Sequence, residues 1–67
     1  MPIPSYATVM VSNWRRIAEI PESVPDDLIY KIVMRESLHV SSGKSDEENQ
    51  GEIDYLRQEL GLENSKT

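Results

Sequence analysis

Sixty-seven residues with no cysteine leave room for one small domain, and exclude disulfides, thiolate metal sites and cysteine nucleophiles. A single histidine, His39, excludes a histidine-rich metal cage. The net charge of −5 is uneven, because Asp46 to Thr67 holds Arg57 and Lys66 against five glutamates and two aspartates, an end that repels nucleic-acid phosphates and attracts a basic protein surface.

A chain this short buries only about 60% of its unfolded surface, so tidy helix packing or oligomerisation must supply stability. The N-terminal stretch MPIPSYATVM has no basic region followed by a long apolar run, so no secretory leader is read there. No apolar run approaches the roughly 20 residues that span a bilayer. The expectation is a soluble cytoplasmic protein without a membrane contact.

Residues 1–11 read as an extended arm. Pro2 and Pro4 hold its start open, and Ala7 to Val11 is β-branched enough for a short strand. Such a strand has no partner within the chain, so it needs a second copy or packs as an irregular lead-in. A small helical domain over 12–62 and a polar tail over 63–67 follow. Ser12 is a candidate N-cap for a first helix at about 13–20. Trp14, Ile17, Ala18 and Ile20 fall on one side of it, and Arg15, Arg16 and Glu19 on the other. Arg15 and Glu19 are spaced to pair, which leaves Arg16 the freer cation. Pro21 stops the helix.

The second helix is expected at about 25–39, with Pro25 at its start and Asp26 and Asp27 on the positive pole. Its apolar residues surround it. Ile29, Val33 and Val40 lie along one line, Tyr30, Met34 and Leu38 along another, and Leu28 and Ile32 along a third. Lys31, Arg35 and His39 form a narrow polar strip. A surface helix shows one apolar face, so this one must be central or must meet a partner.

SSGKS at 41–45 breaks the chain. Ser45 and Glu48 fit a capping box for a third helix that starts at 46 or, given Gly51, at 52, and ends at 60. Ile53, Leu56 and Leu60 form its stripe. Gly61 suits a left-handed cap, with Leu62 folding back on Leu56. The fold class expected is all-α: three short helices with the second in the centre, and an extended arm open to forming a strand.

The string DEENQGEIDYLR, 46–57, resembles part of a calcium-binding EF-hand loop. Asp46, Glu48, Gln50, Gly51, Ile53 and Asp54 fall at matching positions. The resemblance covers 12 residues of 67, and Arg57 stands where the bidentate glutamate belongs. A solvated acidic helix start is the reading taken, with no metal and no cofactor. Trp14-Arg15-Arg16 is the one basic-aromatic cluster, and helical spacing puts Trp14 on the core side. His39 suits the negative pole of the second helix. No catalytic constellation or glycine-rich phosphate loop is read, so no enzyme is expected.

The functional expectation is a small acidic regulator, adaptor or inhibitor that binds another protein. The contact line is expected at Tyr30, Met34 and Leu38, with an acidic rim that includes Glu52 and Glu59. The partner would offer an apolar groove with a basic rim, or the same line would form a homodimer seam. The alternative is a dimeric DNA-binding regulator of antitoxin type, with the N-terminal arm, Arg15 and Arg16 on phosphates.

Overall fold

The computed structural model describes residues 3–62. They form three α-helices: α1, Ser5–Ile17; α2, Asp26–Glu36; and α3, Asp46–Glu59. The all-α expectation holds, and α2 packs against both other helices. The tail at 63–67 and the first two residues of the expected arm lie outside the described residues.

The main departure is at the N-terminus. Ala7 to Val11 is neither arm nor strand but the first half of α1, which starts at Ser5 rather than beyond Ser12. Ser12 is an exposed position in the helix, not its cap. The spacing of Ala7, Val11, Trp14 and Ala18 explains this. At about 100° per residue they fall on one face, and all four are buried. A lone strand would leave its backbone groups unpaired, whereas a helix pairs them internally. The β-branched Thr8, Val9 and Val11 lower helix propensity by only tenths of a kcal/mol each, roughly, and burial outweighs that.

All three helices end in the same way. Glu19 after α1 has φ 52°, Ser37 after α2 has φ 54° and Gly61 after α3 has φ 76°. The next N–H then reaches back five residues: Ile20 to Arg15 at 2.9 Å, Leu38 to Val33 at 3.0 Å, and Leu62 to Arg57 at 2.9 Å. This is the long bond of a Schellman reversal. After α1 and α3 the shorter bond is present as well, Glu19 to Arg16 at 3.4 Å and Gly61 to Gln58 at 3.1 Å. Each reversal delivers an apolar side chain, Ile20, Leu38 or Leu62, to the core.

The reversals correct two helix boundaries. α1 ends at Ile17, so Ile20 enters the core from the reversal rather than from a helix face. α2 ends at Glu36 rather than near His39, so Leu38, His39 and Val40 do not continue its lines. The capping box at Ser45 and Glu48 is formed, and α3 runs from Asp46 straight through Gly51.

Ile29, Leu56 and Val11 are the largest fully buried side chains, with Trp14, Ile20, Ile32 and Val33 around them. α2 therefore buries Ile29, Ile32 and Val33 but leaves Leu28 and Met34 exposed. The larger uncovered apolar surface belongs to α1, where Tyr6 is 78% and Val9 66% exposed.

Of the three left-handed positions only Gly61 is a glycine, whereas Glu19 and Ser37 are not, and Gly51 lies in a helix interior. At Ser37 a side chain pays the crowding of the left-handed region, roughly 1–2 kcal/mol, against about 0.4–1 kcal/mol of extra unfolded freedom for glycine. At Gly51 an added Cβ would meet nothing within 4 Å. Ser37→Gly and Gly51→Ala are each expected to stabilise the fold by about 0.5–1 kcal/mol. Thermal unfolding followed by circular dichroism should show each midpoint rise by several degrees, and a fall in either would contradict the backbone assignment at that position.

Candidate protein-binding surface

Three arginines are used to hold the helices together. Arg15 Nη1 donates to the Pro21 carbonyl at 2.6 Å and Nη2 to the Val24 carbonyl at 2.8 Å. Nη2 also meets the Asp26 carboxylate. One guanidinium thus ties the end of α1 to the linker and to the first residue of α2. The expected Arg15–Glu19 pair does not describe this arginine, because the reversal at Glu19 takes the chain out of the helix. Arg57 of α3 donates from Nη1 to the carbonyls of Ala18 and Glu19 at 2.6 and 3.0 Å. It places a cation on the negative pole of α1. Arg35 bridges Glu36 at 2.8 Å and Glu59 at 3.0 Å, joining α2 to α3. Both carboxylates raise its pKa, Glu36 first. The Tyr55 phenol beside them is also held above its ordinary range, first by desolvation and then by Glu36 and Glu59.

The segment after α2 is pinned to α3. The His39 N–H donates to Glu52 at 3.1 Å. Asn49 accepts from the Ser41 N–H at 3.2 Å and donates to its carbonyl at 2.8 Å. The Lys44 ammonium donates to the His39 carbonyl. Residues 38–40 consequently stand as a wall facing α1.

Between that wall and α1 lies a groove of about 370 Å³. Tyr6, Val9, Met10 and Ile17 of α1 line it, Trp14 adjoins from the core side, and Leu38 and Val40 come from the wall. Arg16 Nη2 donates to Asn13, a lining residue, at 3.3 Å. Residues 6, 9/10, 13 and 17 repeat at helical spacing. That period marks the outer face of α1, and the β-branched Thr8, Val9 and Val11 after two prolines mask it in the sequence.

The residues expected to make contacts are scattered over the molecule. Tyr30 is half-buried against the core, and Met34 is 56% exposed on α2. Leu38 lies beyond the α2 reversal and faces the α1 groove. The line through the three is therefore broken at Ser37. Glu52 and Glu59 are both engaged, with the His39 backbone and with Arg35. Of the two arginines assigned to phosphates, Arg15 is engaged by the linker carbonyls and Asp26, and Arg16 remains exposed.

The stretch that resembles an EF-hand loop is helical from Asp46 onward. A helix spreads its carboxylates around its circumference instead of wrapping them about an ion. Among the described residues, no three of His, Asp and Glu come together so as to hold a metal.

No family model, curated protein or solved structure matches this chain.

Glu48 accepts from the Ser45 N–H at 3.0 Å, and the Ser45 hydroxyl accepts from the Glu48 N–H at 3.2 Å. Its carboxyl is held below the ordinary range, mainly by the Ser45 backbone bond, then by the Ser45 side chain, with help from Lys44. The folded-state pKa is thus depressed. Its stabilising contribution is complete above the unfolded-state value and is lost as pH falls through the folded one. Glu48→Gln keeps a capping side chain without the charge. Thermal midpoints measured from neutral to acid pH should fall less steeply for Glu48→Gln than for the parent, and identical slopes would remove Glu48 from the acid sensitivity.

Proposed function

We propose that this chain is a non-enzymatic regulator or adaptor that acts by binding another protein through the apolar outer face of α1. The observation that carries this reading is the placement of Tyr6 and Val9. They are the two most exposed large apolar side chains among the described residues, and both line the groove against residues 38–40. Exposed apolar surface beside a groove, with an aromatic at its lip, is the composition of a protein contact.

The reading retains Leu38 as a contact residue and moves the centre of the surface from Tyr30 and Met34 to α1. It belongs in a cytoplasmic setting. No helix among the described residues is long and apolar enough to cross a membrane. A dimeric DNA-binding role draws less support, since Arg15 is engaged by the linker and by Asp26.

Val9→Glu and Met34→Glu separate the two surfaces. Both sites are exposed, so both variants should keep the parent circular-dichroism spectrum. Affinity capture from host extract should yield a protein with the parent and Met34→Glu that Val9→Glu fails to retain. Desolvating a carboxylate in the groove should cost about 2 kcal/mol or more, roughly a 30-fold loss of affinity. Retention by Val9→Glu with loss in Met34→Glu would return the contact to α2. Equal capture by all three would sink the reading.

A further inference from the structure

The geometry points to an acidic amphipathic helix of another protein as the occupant of the α1 groove. This inference rests on the protein-binding reading above and specifies the partner's chemistry.

Shape is the first argument. One wall of the groove is a helix face, with lining residues from Tyr6 to Ile17, a rise of about 17 Å. Three turns of a second helix would lie along it and present side chains at i, i+3/i+4 and i+7 to the groove. The opposite wall, Leu38 and Val40, is held by the Glu52, Asn49 and Lys44 contacts, so the groove is formed before anything enters it.

Charge is the second. The chain as a whole is at −5, yet α1, SYATVMVSNWRRI, carries two arginines and no acid. Arg16 is bonded to Asn13 on one side of the groove, and Lys44 to His39 on the other. Glu52, on the His39 N–H, is the carboxylate bonded to a lining residue. Two cations and one carboxylate are thus bonded to lining residues, an excess of one positive charge on an acidic molecule. Carboxylates flanking an apolar stripe would meet Arg16 and Lys44, whereas basic flanks would meet Glu52 alone.

A second copy fits less well. Pairing two α1 faces brings two positive rims together, and a concave groove is not complementary to itself. A stable symmetric pair also needs about 800 Å² from each side, and Tyr6 and Val9 are the strongly exposed large apolar side chains that α1 offers. Duplex DNA would meet Arg16 without Arg15, and a net charge of −5 repels a dense polyanion far more strongly than a helix that carries a few carboxylates.

The test uses two synthetic helical peptides free of tryptophan and tyrosine. Both carry the same leucine stripe, one flanked by glutamates and the other by lysines. Trp14, the single tryptophan of the chain, lines the groove and reports its occupancy by fluorescence. Titrated into the full chain, the glutamate peptide should give a saturable change, and the lysine peptide should bind about fivefold to tenfold more weakly. Arg16→Glu should narrow or reverse that preference, Val9→Glu should weaken both peptides, and salt should weaken the glutamate peptide selectively. Equal affinity for the two peptides would overturn the acidic assignment and leave the groove as a protein contact. Failure of both peptides to bind would overturn the groove reading as well. A chain that forms a dimer by light scattering, with Trp14 emission changing in step with its own concentration, would make a second copy the occupant. Salt-sensitive quenching by duplex DNA that Arg16→Glu abolishes would replace a protein partner with nucleic acid. Either of the last two results overturns the proposal.

Discussion

Each helix turns its backbone left-handed after its last turn and drives the following side chain back toward the core. That single device accounts for much of the architecture. In a chain this small, three short helices alone cover little apolar surface. Ile20, Leu38 and Leu62 add side chains from positions that are no longer helical, and the reversals satisfy carbonyls that would otherwise be left open at the helix ends. They also set where the chain goes next. The turn at Glu19 brings Pro21 and Val24 within reach of Arg15, and the turn at Ser37 sends residues 38–40 across to face α1. The groove exists because α2 stops at Glu36.

Charged groups complete what the reversals begin. Arg15 and Arg57 both bind backbone carbonyls at or just beyond the end of α1, the first from within the helix and the second from α3. Arg15 uses its planar guanidinium as a branched donor, Nη1 to Pro21 and Nη2 to Val24, which an ammonium could not reproduce with the same geometry. Arg35 lies in a more exposed position, where an ion pair is worth little by itself. Its effect is to bring Glu36, Glu59 and Tyr55 into one cluster along the α2–α3 seam. With Arg15, Arg35 and Arg57 engaged in the fold, Arg16 is left as the outward arginine of α1. The electrostatics of the α1 face follow from which cations the fold consumes.

The parts of the fold that were legible in the sequence are those set by local chemistry. Ser45 and Glu48 form the capping box, Gly61 takes the left-handed position, and α2 is central. The parts that were not legible depend on distant packing. Ser37 resembles any helix-compatible serine, and only the arrival of Leu38 and Val40 at the core explains a stop there. Thr8, Val9 and Val11 look strand-like, and two prolines precede them, so the period of Ala7, Val11, Trp14 and Ala18 was masked by local preference. Glu19 sits four residues after Arg15, yet the reversal at Glu19 removes it from the helix face on which the two could pair. The candidate site depends on the same two boundaries: only a helix that continued to His39 would keep Tyr30, Met34 and Leu38 on one line, and only a helix that starts at Ser5 gives Tyr6 and Val9 a common face.

Tyr6 and Val9 on the outer face of α1 are separable from folding, as Met34 is, whereas Tyr30 and Leu38 of the expected α2 line pack against the core. Tyr6 and Val9 contribute little to the core, so their presence on the surface is not explained by stability. Trp14 and Ile17 belong to both environments, since they pack with the core cluster and also line the groove. An occupant of the groove would therefore complete the packing around residues on which the fold already relies. Binding to the folded chain alone raises its stability in proportion to the logarithm of ligand concentration over Kd. In a domain of marginal stability, that coupling makes the bound form the better-folded one. A partner on α1 would thus supply the kind of stabilisation that a cysteine-free chain of this length cannot draw from disulfides.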